Sequence, residues 1–475
     1  MKKYSYLLKN IGLLALSSFG TKVLSFLLIP LYTSVLSTSD VGIYDNYTTT
    51  VTLMLSVLTM NVSEAVMRFT LDPKKEKSSV FSIGVRRICL AAVIFSLLVL
   101  INKTFDLIPL FNQYAVFLLL YFVGSLLYDF LSQFSRGVDK ISYVAIAGAM
   151  NSVIMLSTNI LFLLYFKMGL VGYFLAHCLA LYIPALFLFI RLKAWQYWRK
   201  EKTPELKQEM NSYSRPLVLN STAWWINNVS DRYIVTWICG TAANGIYSVA
   251  YKIPSILNIF QNIFSQAWTL SAVKEYDDKE NDFYSVIYRW YNCGMVLVCS
   301  GLLIGNKLMA HILFKKEFFM AWQYAPFLMI SVVFGSLSGM LGGVFSASKT
   351  SKTLATSTAI GAAINTVLNL LLVHLIGPLG AAIATLAAYV VVWAYRLVKA
   401  RKLVRIDVKI MRDTAAYAIL LFQALVYFIS EKFLILYGLE AVGLIAIFVL
   451  FRKEAIEIIT KLLSKVRGRK NARTD

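Results

Sequence analysis

Five charged side chains are embedded in strongly apolar sequence, and their signs define the chemistry on offer. Asp231, Arg232 and Lys252 fall within Asn220–Ser255 (NSTAWWINNVSDRYIVTWICGTAANGIYSVAYKIPS), far from the ends of its two hydrophobic runs. Lys22 and Asp45 stand in similar surroundings near the N-terminus. A charge at the centre of a bilayer costs roughly 2.5–3.5 kcal/mol on insertion scales, so such residues mark a wet cavity or a pathway. Lys22, Arg232 and Lys252 outnumber Asp45 and Asp231, which makes the cavity net positive and suits it to an anion. Buried cations seek phosphate or carboxylate partners. Adjacent residues point to different faces of a helix, so Asp231 and Arg232 do not neutralise each other directly.

Helical spacing attaches neutral polar groups to these charges. Asp45, Thr49, Thr52, Ser56, Thr59 and Ser63 recur at intervals of three and four, a stripe down one helix face. Ser221, Trp225, Asn228 and Arg232 form a second stripe, with Trp224, Asn227 and Asp231 beside it. Ser248, Lys252, Ser255, Asn258, Asn262 and Gln266 form a third, and Ser18, Thr21, Lys22 and Ser25 share a face earlier in the chain. Polar groups left unsatisfied in hydrocarbon cost several kcal/mol, so these stripes must face one another or water. Single Ser and Thr residues can equally be glue between helices. Trp224 and Trp225 pack against lipid or a neighbouring helix, or, for Trp225 on the Arg232 face, stack on a sugar ring. Glu64 and Arg68, four residues apart, read as a local salt bridge or as part of an inner gate.

The elements that carry these residues are transmembrane helices. Of 475 residues, 58% are hydrophobic and 15% charged, with mean hydropathy +0.65. Soluble domains are about 45–50% apolar and about a quarter charged, so the chain is an all-α polytopic membrane protein. Fourteen spans are predicted: 10–36, 41–70, 80–102, 111–134, 141–165, 170–190, 214–238, 243–273, 283–306, 323–347, 354–376, 379–398, 414–430 and 434–451. The first contains Lys22 and lacks a small-residue cleavage site, so it is a retained helix rather than a signal peptide. A net charge of +22 would suggest nucleic acid in a soluble protein. Here only six of the 47 Lys and Arg fall in outside loops once the N-terminus is placed inside. The positive-inside rule therefore puts both termini in the cytoplasm, and no nucleic-acid partner is expected. The outside loops are too short for an extracytoplasmic domain.

Two echoes suggest an internal duplication. Gly42-Ile43-Tyr44 returns as Gly245-Ile246-Tyr247, 203 residues later, each opening a span. Gly169-Leu170-Val171-Gly172 is matched by Gly377-Pro378-Leu379-Gly380, 208 residues later, each preceding a span. An even number of spans per repeat keeps both halves in one orientation. The expected organisation is an N-lobe of six helices with a basic cytoplasmic linker (1–213), a C-lobe of six (214–400), and two extra helices with a basic tail (401–475). The stripes and charges fall on spans one and two and on their equivalents, seven and eight.

Other chemistry is excluded or bland. The chain has no G-x-S-x-G, HExxH or Walker A motif and no acidic pair in a long outside loop, so it is not read as an enzyme or an ATP-driven pump. Cys89, Cys178, Cys239, Cys293 and Cys299 show neither metal spacing nor a paired extracellular pattern and read as packing residues. No metal or other cofactor is expected, apart from a coupling proton or cation whose identity stays open.

The run Trp224 to Tyr233 followed by Gly245 to Pro254 resembles the seventh and eighth spans of Wzx-type oligosaccharide flippases. These are the polysaccharide transporters of the superfamily that also holds multidrug/toxin extruders and the lipid II flippase. Asn365 to Thr385, with Asn369 and Gly377–Gly380, is similar to the same family, and Gly20-Thr21-Lys22 to Gly42-Ile43-Tyr44 matches more loosely. The resemblance implies alternating access of two lobes, moving an undecaprenyl-pyrophosphate-linked oligosaccharide outward across a bacterial cytoplasmic membrane. That serves O-antigen, capsule or exopolysaccharide synthesis, beside a polymerase and chain-length machinery. It implies that Lys22, Arg232 and Lys252 hold the pyrophosphate, while the polar stripes set Asp45, Thr49, Ser56, Trp225, Asn228, Asp231, Ser255, Asn258 and Asn262 along the cavity wall. Asp45 or Asp231 would carry a coupling ion. A cation-coupled drug antiporter on the same fold would want an acid-dominated chamber, and a polysaccharide polymerase would need larger outside loops.

Overall fold

The computed structural model describes residues 26–198, 203–274, 282–348, 350–429, 432–457 and 460. Lys22 and the rest of the polar face expected in the first span lie outside these residues. Each predicted span has a helical counterpart among the described residues. The N-lobe helices are α1 (Phe26–Val35), α2 (Thr38–Thr59), α3 (Val62–Thr70), α4 (Lys77–Phe105), α5 (Ala115–Gly137), α6 (Ile141–Asn159) and α7 (Gly169–Arg191). Then come α8 (Pro204–Cys239), α9 (Thr241–Ala250), α10 (Ser255–Lys274), α11 (Phe283–Leu313), α12 (Ala325–Ala347), α13 (Ser351–Ile376) and α14 (Pro378–Ala400). Two more, α15 (Ile410–Ile429) and α16 (Phe433–Leu450), follow.

Ten of these are long and apolar enough to cross a bilayer, eleven when α2 and α3 count as one bent span. The other spanning positions are α1, described only from Phe26, the polar α8, and the pair α9–α10, which is interrupted at Tyr251–Pro254. The interruption corrects the continuous span expected over 243–273. Pro254 has no N–H to donate and disfavours helical geometry at Ile253 before it, so the ladder breaks there. The second span is broken too: Met60 and Asn61 both adopt the left-handed conformation (φ 54° and 50°), and α3 turns 57° from α2. The link before α8 is shorter than its charges suggested. The helix begins at Pro204, a residue pre-organised for the first helical position, ten residues before the expected span. Its 36 residues give a rod of about 54 Å, longer than the roughly 30 Å apolar core.

The chain divides into two compact units, residues 1–225 with 313–316, and 226–312 with 317–475. Within the first, α5 packs on α7, α6 on α7, α3 on α5, α5 on α6, and α2 on α7. Within the second, the counterparts pair alike: α12 on α14, α13 on α14, α10 on α12, α12 on α13, and α9 on α14. The short sequence echoes sit at matching structural places. Gly42 and Gly245 are each the fifth residue of their helix. Gly169 and Gly377 both take positive φ, 55° and 64°, in the turn that opens α7 or α14. Their partners Gly172 and Gly380 lie so close to the preceding helical segment that a Cβ would fall 2.9 Å from Phe162 and 2.3 Å from Leu372.

Burial grades the helices. In α12, 83% of the apolar window is inside the protein, against 33% in α4 and 22% in α16. The outward residues of the latter two, such as Leu97, Leu100, Val442 and Ile445, are large and apolar, as a lipid-facing surface requires. The extra helices α15 and α16 are fixed by buried polar contacts. The Gln423 amide donates to the Glu440 carboxyl at 2.9 Å and accepts from Ser300 of α11 at 2.9 Å. Gly443 makes room for it, since a Cβ there would meet Gln423 at 2.9 Å. All five cysteines are unpaired; Cys178, Cys293 and Cys299 are buried, whereas Cys89 and Cys239 face outward.

Candidate functional site

In the second unit the site grows around Asp231, buried at 2% exposure in the C-terminal third of α8. Tyr247 and Tyr251 are four apart at the end of α9, so their rings meet edge to face at 5.4 Å and their hydroxyls converge. Both donate to the same Asp231 oxygen at 2.7 Å. The Arg232 backbone N–H donates to the other oxygen at 2.9 Å. Thr385 of α14 approaches at 3.5 Å and accepts from the Asn365 amide of α13 at 3.2 Å; Asn369 then donates back to Asn365. A carboxylate in hydrocarbon survives only with such donors. The result is a buried nest of oxygen atoms joining α8, α9, α13 and α14.

Arg232 and Lys252 flank Tyr251, one in space and one in sequence. The Arg232 guanidinium lies 4.9 Å from the centre of the Tyr251 ring, a cation–π distance. Lys252 is the next residue, exposed on the turn that breaks α9 from α10. Arg232 is thus coupled to Asp231 through the tyrosine whose hydroxyl reaches the carboxylate. Beyond the break, Ser255 donates to the Lys252 carbonyl at 2.6 Å, while Asn258 is half-buried and Asn262 exposed along α10. Asn228 is half-buried and accepts a hydrogen bond from Tyr389 of α14.

In the first unit Asp45 is 9% exposed and lies within electrostatic reach of Tyr32 and Tyr173. Both units therefore set a carboxylate among tyrosines on the span-two position or its neighbour. The hydroxyls of the α2 stripe are spent largely on their own helix. Thr49 donates to the Asp45 carbonyl at 2.8 Å and Thr52 to that of Thr48 at 2.9 Å. Trp225 donates its indole N–H to the Thr49 carbonyl at 3.0 Å. Ser56 donates to Asn61 at 2.9 Å. Glu64 and Arg68 are both exposed on α3, and they are not joined among the ion pairs of the described residues. Each instead sits in the helix end turn whose dipole it complements.

Sequence reasoning passed over several of these groups. Tyr247 and Tyr251 were readable only as a spacing of four beside the acid. Thr385 and Asn365 come from spans far away in the chain, which no local period can connect. Arg396 of α14 is 8% exposed, and its guanidinium donates to Ser357, Thr358 and the Ser338 carbonyl, all neutral. Its place near the end of an apolar span hid it among anchoring cations.

The family described as polysaccharide biosynthesis protein matches residues 7–270. That is more than half of the chain, and the chain belongs to this family. No curated protein matches the full sequence significantly. Among solved structures, the lipid II flippase MurJ in an inward closed conformation aligns at TM-score 0.70 and 12% identity, over 94% of this chain and 99% of its own. An inward-facing multidrug resistance MATE transporter of the MOP superfamily aligns at TM-score 0.67 and 12% identity, covering 84% and 96%. A MOP superfamily transporter from Pyrococcus furiosus aligns at 0.54 and 13%, covering 83% and 93%. At these identities the likeness establishes the fold, a multi-pass membrane architecture of the flippase and transporter type.

Proposed function

We propose that this member of the polysaccharide biosynthesis family is a flippase for a polyprenyl-pyrophosphate-linked oligosaccharide. It would work in a bacterial cytoplasmic membrane with both termini inside, and hand its cargo to a polymerase and chain-length machinery for O-antigen, capsule or exopolysaccharide. The observation that carries the reading is Arg232, set over the Tyr251 ring beside the Asp231 nest, with Lys252 exposed one residue beyond that tyrosine. A pyrophosphate matches clustered cations, and Arg in particular can hold two oxygens at once. Lys22 is the third cation assigned to the same ligand. The polyprenyl tail stays in lipid while head group and sugars pass between the lobes.

Energy considerations give Asp231 a second part. A potential negative inside favours outward movement of an anion by about 2.3 kcal/mol per charge per 100 mV. Return of the empty cationic site is proposed to be accompanied by a counter-ion or proton. Asp231, surrounded by tyrosine and threonine hydroxyls, is the group proposed to hold that proton or hard cation.

Complementation of a bacterium lacking its own oligosaccharide flippase tests the assignment. Expression of the chain should restore surface polysaccharide and clear lipid-linked units stranded on the inner leaflet. Arg232→Ala or Lys252→Ala should abolish both while the protein still inserts. Normal polysaccharide in well-expressed mutants, or drug resistance in place of polysaccharide, overturns the proposal.

A further inference from the structure

A cavity of about 270 Å³ opens in the first unit between α2 and α8. Its walls carry Thr52, Ser56, Asn220, Ser221, Trp224 and Trp225, with Leu53 completing the surface. None of these side chains is charged. The size lies just below the roughly 300–1,000 Å³ of ordinary ligand pockets, room for one small ring rather than a chain of them.

The walls are held in place from behind. The break in the second span puts Asn61 where its amide donates to Ser221 at 3.0 Å while its oxygen accepts from Ser56 at 2.9 Å. One carboxamide thereby ties both sides of the cavity together. Trp225 is fixed through its indole N–H on the Thr49 carbonyl. Trp224, in contrast, keeps 56% of its surface exposed. Ser56 and Thr52 spend their hydrogens on Asn61 and on the Thr48 carbonyl, which leaves their oxygens able to accept from a ligand.

We infer that this cavity is a subsite for a single neutral sugar ring, with Trp224 as the stacking platform. The inference rests on the flippase reading and adds to it a place for the sugar apart from the pyrophosphate cations. Three alternatives fit the walls worse. A phosphate would find no cation there. A lipid tail would strand three hydroxyls and an amide in hydrocarbon, at several kcal/mol. A cation would find no carboxylate. A sugar ring presents apolar C–H faces to an indole and hydroxyls around its edge to Ser, Thr and Asn, which is the combination on these walls.

The test measures affinity of the purified full chain in detergent for two probes: a short polyprenyl pyrophosphate alone, and the same lipid bearing one hexosamine. The wild-type protein should bind the sugar-bearing probe more tightly. Trp224→Ala should weaken that probe about tenfold and leave the sugar-free one unaffected. Trp224→Phe, which restores a ring, should recover most of the loss. Equal weakening of both probes, or no weakening of either, overturns the subsite. The same two probes in proteoliposomes separate this failure from failure of the flippase reading. If neither lipid is translocated by the wild-type chain, the transport assignment falls, while the sugar-dependent difference in affinity still decides the subsite.

Discussion

Glu454 shows how a single side chain outside the spans fixes the start of α15. Its carboxylate takes hydrogen bonds from Arg412 and, at 3.4 Å, from Lys409, while Arg412 also pairs with Asp413 at 2.7 Å. Burial alone would raise the Glu454 carboxyl, but the bonds from its own backbone N–H and from Arg412, with the charges of Arg412 and Lys409, outweigh it and hold it below the usual range. A carboxyl lowered by folding stabilises the protein at pH values above its unfolded value, about 4.3. That contribution disappears as pH falls through the lower folded value. Glu454→Gln should therefore lower the thermal midpoint at pH 7, by the equivalent of about 1 kcal/mol for a pair near solvent. The gap from wild type should be smaller at pH 3 than at pH 7. An equal gap at both pH values would mean that packing, not charge, explains the loss. The Asp231 nest obeys the same rule of compensated burial with tyrosine donors in place of arginine. Its acid was legible in the sequence because a charge in apolar surroundings is conspicuous. Its partners were not, because neutral tyrosines and threonines look the same whether they pack or bind.

The broken helices carry the next lesson. Two of the spans that hold polar stripes are interrupted, after 22 residues at Met60 and after 10 at Tyr251. The second break is written in the sequence as Pro254. The first has neither proline nor glycine, and two consecutive non-glycine residues pay for left-handed backbone, a cost of roughly 1–2 kcal/mol each and less for asparagine. Asn61 offsets that cost by bridging Ser56 and Ser221, a tertiary contact over 160 residues that no helical period can reveal. Two substitutions separate the terms. Asn61→Ala should lose about 2 kcal/mol, from both the bridge and the backbone strain, whereas Asn61→Gly should lose about 1, from the bridge alone. Thermal unfolding of the two variants in detergent reads the difference. If glycine proves as damaging as alanine, strain at the break is not what the asparagine relieves.

At the scale of the whole chain, apolar runs and loop charges made the fourteen positions readable, because each span must satisfy its own backbone in hydrocarbon. The duplication was readable from two faint echoes, and the matched packing of α5, α6 and α7 with α12, α13 and α14 gives them substance. What hydropathy could not supply was which neutral residues of distant spans meet. The duplication makes one strong demand on topology. With six spans per repeat the halves run in parallel, so the turns at Gly169 and Gly377 must open on the same side of the membrane; an odd number would invert one of them. By the positive-inside rule, the scarcity of Lys and Arg in both turns predicts that they lie outside. Alkaline phosphatase, active only outside, should therefore work when fused after Met168 and after Gly377, and should be silent after Lys140 and at the C-terminus. Fluorescent-protein fusions at the same four points should give the complementary pattern. Opposite behaviour of the Met168 and Gly377 fusions would refute the parallel duplication, and with it the equivalence of the α2–α3 and α9–α10 spans.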